Sequence, residues 1–293
     1  MKRTISFFMI ASMLLMTSCG GKEKNRLSIP YEEYKLDNGL TVILNEDKSD
    51  PIASLVILYH VGSSREVPGK TGFAHLFEHM MFQRSENVGE DEYFKYIEGA
   101  GGNLNGGTSY DQTIYFEVVP KNALELAMWL ESDRMGFLRN TVTPQSFALQ
   151  QNVVQNEKRQ GVDNRPYGHT EAVILKNLYP QDHPYSWDVI GEMADLANAT
   201  IDDVKDFHKK FYIPNNATLV VSGDYDVAEV SCKGIAGYHL FQLHAHTFFI
   251  PHIPPHPISM IPAGKPANVK TVIEPALPAG FICSYLYSGQ WWS

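Results

Sequence analysis

The sequence predicts an α+β domain over residues 31–230, with strands and helices mixed in no strict βαβ rhythm. Three observations carry that expectation. Asp37-Asn38-Gly39 sits between two short apolar runs, the signature of a β-hairpin around an Asn-Gly turn. Thr143-Pro144 and Thr200-Ile201-Asp202-Asp203 read as the capped starts of two helices. Between them in kind, an apolar helical segment around residues 73–82 carries three polar side chains on one face.

Taken in order, Tyr31 to Leu36 and Leu40 to Leu44 form the arms of the hairpin, and Ile52 to Val61 is a strongly apolar strand. Pro68 to Gly72 is a turn-rich entry to the apolar helix, with Thr71 as its expected cap. Glu90 to Glu98 reads as a helix stopped by the glycines that follow, and Thr108 to Val119 as one long strand rich in Thr, Tyr and Val. Asn122 to Leu138 is an expected amphipathic helix. A second helix opens at Pro144 and runs to about Gln160, a third covers residues 201–211, and Ala217 to Ser222 is the last strand. About 200 residues suffice for one domain with a substantial core.

The chemistry concentrates in His75-Leu76-Phe77-Glu78-His79. On a helix, residues three and four apart share a face, so His75, Glu78 and His79 project together. Two neutral imidazoles one turn apart can each give a lone pair to one Zn2+ at about 2.0–2.1 Å. The adjacent carboxylate is then placed to take a proton from water activated by the metal. The surrounding Phe73, Ala74, Leu76, Phe77, Met80, Met81 and Phe82 mark a buried helix, where unpaired polar groups are costly. The alternative, histidines satisfied within the core, needs three separate partners. A catalytic site of this kind needs a third protein ligand.

The ends of the chain differ from its body. Lys2 and Arg3, an apolar run from Ile5 to Met16, and Thr17-Ser18-Cys19-Gly20 read as an export leader over residues 1–19. The cysteine after that run resembles a lipobox, in which Cys19 is lipidated, although Met16 stands where Leu is commoner; an ordinary secretory signal is the alternative. Residues 20–30 read as a polar tether. From Ser231 to Ser293 only Lys233, Lys265, Lys270 and Glu274 are charged, while prolines and histidines crowd together. That tail reads as a shifted frame or a truncated gene; His239, His244, His246, His252 and His256 form a His-rich tract. Of three cysteines, Cys232 and Cys283 remain after the leader and give no disulfide framework and no cysteine zinc site. A net charge of −9 argues against a nucleic-acid partner. Nothing after residue 19 is apolar and long enough to span a membrane, which leaves an N-terminal lipid as the only membrane contact expected.

Several stretches together resemble the pitrilysin/insulinase family of zinc peptidases, the inverzincins. They are Asp37-Asn38-Gly39-Leu40, Gly62-Ser63-Ser64-Arg65-Glu66, the run from Gly72 to Phe82, Gly102-Asn103-Leu104-Asn105-Gly106-Gly107-Thr108, and Asn156-Glu157-Lys158-Arg159. The resemblance implies one half of a clamshell: a two-layer antiparallel sheet with helices packed on one face. It implies one zinc ion held by His75, His79 and Glu157, with Glu78 as general base. Glu157 would share a helix face with Val153 and Val154, its carboxylate turned toward the core; Gln150 stands where the family often has a second acidic residue.

Asn105 to Tyr115 is similar to the family's substrate strand, to whose edge an extended peptide adds; Asn105 and Thr108 are the substrate residues it implies. The function implied is a zinc metalloendopeptidase acting on exported peptides, in the bacterial periplasm or at the outer membrane and anchored through Cys19. A second-half domain or homologous subunit is the implied partner. The alternative is a non-catalytic or truncated subunit that binds peptide. S-ribosylhomocysteine lyases share the His-x-x-Glu-His order, but they are compact and cytosolic.

Overall fold

The computed structural model describes residues 28–226 and residue 230. The leader with Cys19, most of the tether, and the tail from Ser231 with its histidines lie outside the described residues. Six strands form one sheet: β1 Glu32–Lys35, β2 Thr41–Glu46, β3 Ile52–Tyr59, β4 Asn103–Thr108, β5 Thr113–Pro120 and β6 Ala217–Gly223. Their spatial order is β1-β2-β6-β3-β5-β4. Every pairing is antiparallel except β2 with β6. A strand inserted between two strands of opposite direction must run parallel to one of them. Here β6, antiparallel to β3, enters the sheet between β3 and β2. The sheet is therefore mixed at that one pair.

The strands alternate between buried and half-exposed positions, as a sheet covered mainly on one face requires. Val42, Leu44, Leu55, Ile57, Tyr59, Leu219 and Val221 are enclosed. Seven α-helices accompany the sheet among the described residues: α1 Phe73–Met80, α2 Glu92–Gly99, α3 Leu124–Phe137, α4 Pro144–Lys158, α5 Thr170–Leu178, α6 Met193–Asn198 and α7 Ile201–Phe211. Helix α3 packs on β3 and β5, α1 lies against β4, and α4 packs on α1.

The hairpin forms as its turn residues dictate. Leu36 N–H donates to Leu40 O at 2.9 Å, and Gly39 takes φ +90°, a conformation that strains any residue with a Cβ. The caps of α4 and α7 form as boxes, Thr143 with Ser146 and Thr200 with Asp203. Other expectations change. The single strand from Thr108 to Val119 is a hairpin, β4 to β5, because Ser109-Tyr110-Asp111-Gln112 turns; Ser109 N–H donates to Gln112 O at 2.8 Å. Helix α3 is amphipathic only in its first half, since every residue from Leu130 to Met135 is buried, Glu131, Asp133 and Arg134 included. Helix α4 ends at Lys158 and gives way to a π-helical turn, Arg159–Asp163. Helices α5 and α6 were not foreseen; neither has a strong periodic apolar stripe.

Candidate metal centre

Helix α1 is embedded by Phe73, Ala74, Leu76, Phe77 and Met80. That leaves His75, Glu78 and His79 on its remaining, half-exposed face. Thr71 does not cap it. Its Oγ1 donates to Asp195 Oδ2 at 2.7 Å and accepts Glu192 N–H at 2.8 Å, binding the entry loop to the start of α6. Gly72 occupies the cap with φ +82°. Glu66, eight residues or fewer before the N–H groups it serves, accepts from Gly72 N at 3.0 Å and from Ala74 N at 2.7 Å. Burial pushes the Glu66 carboxyl up, while the N–H donors of Ala74, Gly72 and Trp187, which converge on its two oxygens, favour the carboxylate.

The three expected ligands converge. His75 Nε2 and His79 Nε2 lie 3.2 Å apart, and Glu157 Oε2 stands 3.4 Å from the first and 3.5 Å from the second. Donor atoms at zinc distance in a tetrahedral array are about 3.3–3.4 Å apart. The triangle thus fits one zinc ion, and its neutral-neutral-anionic donor set is one that zinc accepts. Burial, then the neighbouring His79, lowers the His75 imidazole to about 4, so its lone pair is available at neutral pH. Glu157 departs from expectation in one respect: its side chain is 44% exposed rather than turned to the core, while Val154 and Lys158 take the buried positions. Successive helix positions are about 100° apart, so the face toward α1 and the face toward the core are different faces. Gln150 is buried on the same helix.

Glu78 sits beside the triangle. Its Oε2 accepts from Thr108 Oγ1 at 2.5 Å, and burial raises its carboxyl above the usual range, partly offset by that bond. Thr108, the residue expected at the substrate, thus also meets the Glu78 carboxylate. Asn105 is exposed on β4, its Oδ1 accepting Gly106 N–H at 2.8 Å. Among the described residues strand β4 is an edge of the sheet, paired with β5.

Two arrangements escaped sequence reasoning. One is Glu66 with Trp187, whose indole N–H donates to Glu66 Oε2 at 3.2 Å and to Ser63 O at 3.1 Å. The other is a buried cluster joining β5, α2 and α3. Arg134 Nε donates to Glu131 Oε2 at 2.7 Å, Tyr93 Oη donates to Glu117 Oε1 at 2.9 Å, and the guanidinium stacks 4.1 Å from the Tyr115 ring centre. Burial, then Glu131, pushes the Glu117 carboxyl well up. Charged residues within apolar runs were the available signal, but it does not say which of them pair.

Comparison with known proteins finds a family of zinc proteases. The family described as Insulinase (Peptidase family M16) matches residues 41–183, and Peptidase M16 inactive domain matches residues 198–234. The chain is 33% identical over 222 residues to the zinc protease PqqE of Helicobacter pylori, covering 75% of this chain and 49% of that protein. It is 26% identical over 237 residues to the insulin-degrading enzyme of Drosophila melanogaster, covering 78% of this chain and 25% of that protein. Among solved structures, a protease from Helicobacter pylori superposes with a TM-score of 0.69 at 32% identity, over 78% of this chain and 54% of that one. The first half of the periplasmic protease PqqL from Escherichia coli gives 0.64 at 25% identity, over 71% of this chain and 45% of that one. The chain thus spans half or less of the length of the curated relatives it matches. Among the described residues no helix is long and apolar enough to cross a membrane.

Proposed function

The chain belongs to the insulinase family of M16 peptidases, and from that membership we propose that it is a zinc-dependent metalloendopeptidase acting on exported peptides or unfolded proteins. The observation that carries the reading is the triangle of His75 Nε2, His79 Nε2 and Glu157 Oε2, with Glu78 beside it. These three atoms would hold one zinc, which supplies Lewis acidity that makes water nucleophilic at neutral pH. Glu78 takes the proton of the attacking water and passes it to the leaving amine. Thr108 holds Glu78 Oε2, which leaves Oε1 as the proton acceptor. The substrate lies along the edge of β4, where backbone groups bind peptide irrespective of side chain. Asn105 then faces the peptide backbone.

In this reading residues 31–230 are the zinc-binding half, and a second-half domain or homologous subunit closes over the peptide. The leader exports the chain, with Cys19 as its lipid anchor at the periplasmic face of a membrane; the similar PqqL is a periplasmic protease. A second reading is a peptide-binding subunit without activity of its own; the family that matches residues 198–234 is described as an inactive domain. The test is metal content together with cleavage of an unstructured peptide. One zinc per chain and cleavage lost in Glu78→Gln support the peptidase. One zinc with no cleavage, even after a second half is added, supports the binding subunit.

A further inference from the structure

We infer that Glu66 is a positioning residue of the metal centre, setting where His75 and His79 stand by gripping the first turn of α1. The inference rests on the zinc reading above. The first N–H groups of any helix lack partners within it. In α1 no cap side chain supplies one, because Gly72 occupies that place. The Glu66 carboxylate, 8% exposed, does so with both oxygens. Oε1 reaches Ala74 N–H, inside the helix and directly before His75. Oε2 reaches Gly72 N–H and is shared with the Trp187 indole, from a segment more than 120 residues away.

There is little slack around this grip. A Cβ on Gly72 would lie 2.6 Å from Ile190 O, and one on Gly191 would lie 2.3 Å from Gly72 N, so the two backbones are already in contact. Thr71, tied to Asp195 and Glu192, stops at the entry loop. Among these ties only Glu66 reaches past the cap to the residue adjoining a ligand. Metal sites tolerate about ±0.2 Å in ligand distance, so a small shift of the first turn is felt by both imidazoles. Glu66→Gln keeps the shape but turns an NH2 toward one of the N–H donors, and donor then faces donor.

The experiment compares the native full-length chain with Glu66→Gln and with Asp133→Asn. The latter removes another buried acceptor, one that receives Asn87 Nδ2 at 2.6 Å away from the helix start. Imidazole 15N resonances of His75 and His79 are recorded on the metal-free chain, assigned by single alanine variants. Zinc affinity is measured by chelator competition, and the Co2+-loaded forms by absorption. Glu66→Gln is expected to displace both sets of resonances, lower zinc affinity about 10- to 100-fold and alter the cobalt spectrum. Asp133→Asn is expected to leave all three as in the native chain.

Native resonances and native affinity in Glu66→Gln overturn the inference, as does an equal displacement in Asp133→Asn. If the native chain takes up no zinc, the metal reading fails, and the metal-free resonances still decide the positioning. Should Glu66→Gln not fold, Trp187→Phe withdraws the indole donor from Glu66 and Ser63, with part of the buried ring, and leaves the Glu66 bonds to α1 in place. A smaller displacement of the same resonances is then expected, and none overturns the inference.

Discussion

At the scale of the residue, each proposed role predicts a different loss. His75→Ala or His79→Ala removes one of two neutral donors and should abolish stoichiometric zinc binding, read as metal content after dialysis; full retention would exclude the site. Glu157→Gln swaps an anionic donor for a neutral one and should weaken zinc by about 10-fold or more by chelator competition. Glu78→Gln should keep the zinc and lose at least about 100-fold in peptide hydrolysis, the scale of a missing general base. Unchanged cleavage in that variant would assign the proton transfer elsewhere. The pair of histidines was legible from spacing alone, because a helix fixes what stands one turn away. Glu157 was legible only through the company of Asn156, Lys158 and Arg159, since no local rule brings residue 157 to residue 75.

At the scale of the element, α7 carries a pH signature. His208 is buried against the Arg134 and Met135 carbonyls and packs 5.8 Å from the Phe77 ring of α1. Burial, then Arg139, lowers its imidazole to about 4. Unfolded, the same group binds its proton near pH 6.5. Between those values the unfolded chain holds more protons, so stability falls as pH drops from about 6.5 and levels off below about 4. The contribution is of order 3 kcal/mol. The native chain should therefore lose stability to denaturant relative to His208→Phe across that window, and the difference between the two should be flat above pH 7. Parallel acid profiles would show that His208 titrates normally. The capped helices α4 and α7 and the Asn-Gly hairpin were readable because their signals are local hydrogen bonds. The β4–β5 turn was missed because Thr108, Tyr110 and Thr113, in and beside it, all favour strands, while β4 itself is rich in Asn and Gly, which do not.

At the scale of the whole molecule, all six strands and the metal triangle lie within residues 32–223. A chain ended after Val230 should accordingly bind one zinc with native affinity; loss of binding would place the tail inside the domain. Under the clamshell reading, residues 31–230 by themselves should cleave feebly, because the opposing wall supplies donors to the tetrahedral oxyanion. Loss of a single such donor costs about 100- to 1,000-fold. Adding a second-half domain in trans should raise kcat/KM by about that factor, and full activity without it would contradict the clamshell reading.

What the sequence by itself determined is what repeats over a few residues: the hairpin turn, the caps, the buried helix and the common face of His75, Glu78 and His79. Dihedral preference and helical spacing act at that range, and they are the same in any fold. The tertiary structure decided the parallel seam between β2 and β6, the half-exposed stance of Glu157, the bond from Thr108 to Glu78 and the grip of Glu66 and Trp187 on α1. Each joins groups whose separation along the chain carries no information about their distance in space. Only the packing of α4 against α1, and of α1 against β4, converts sequence separation into contact.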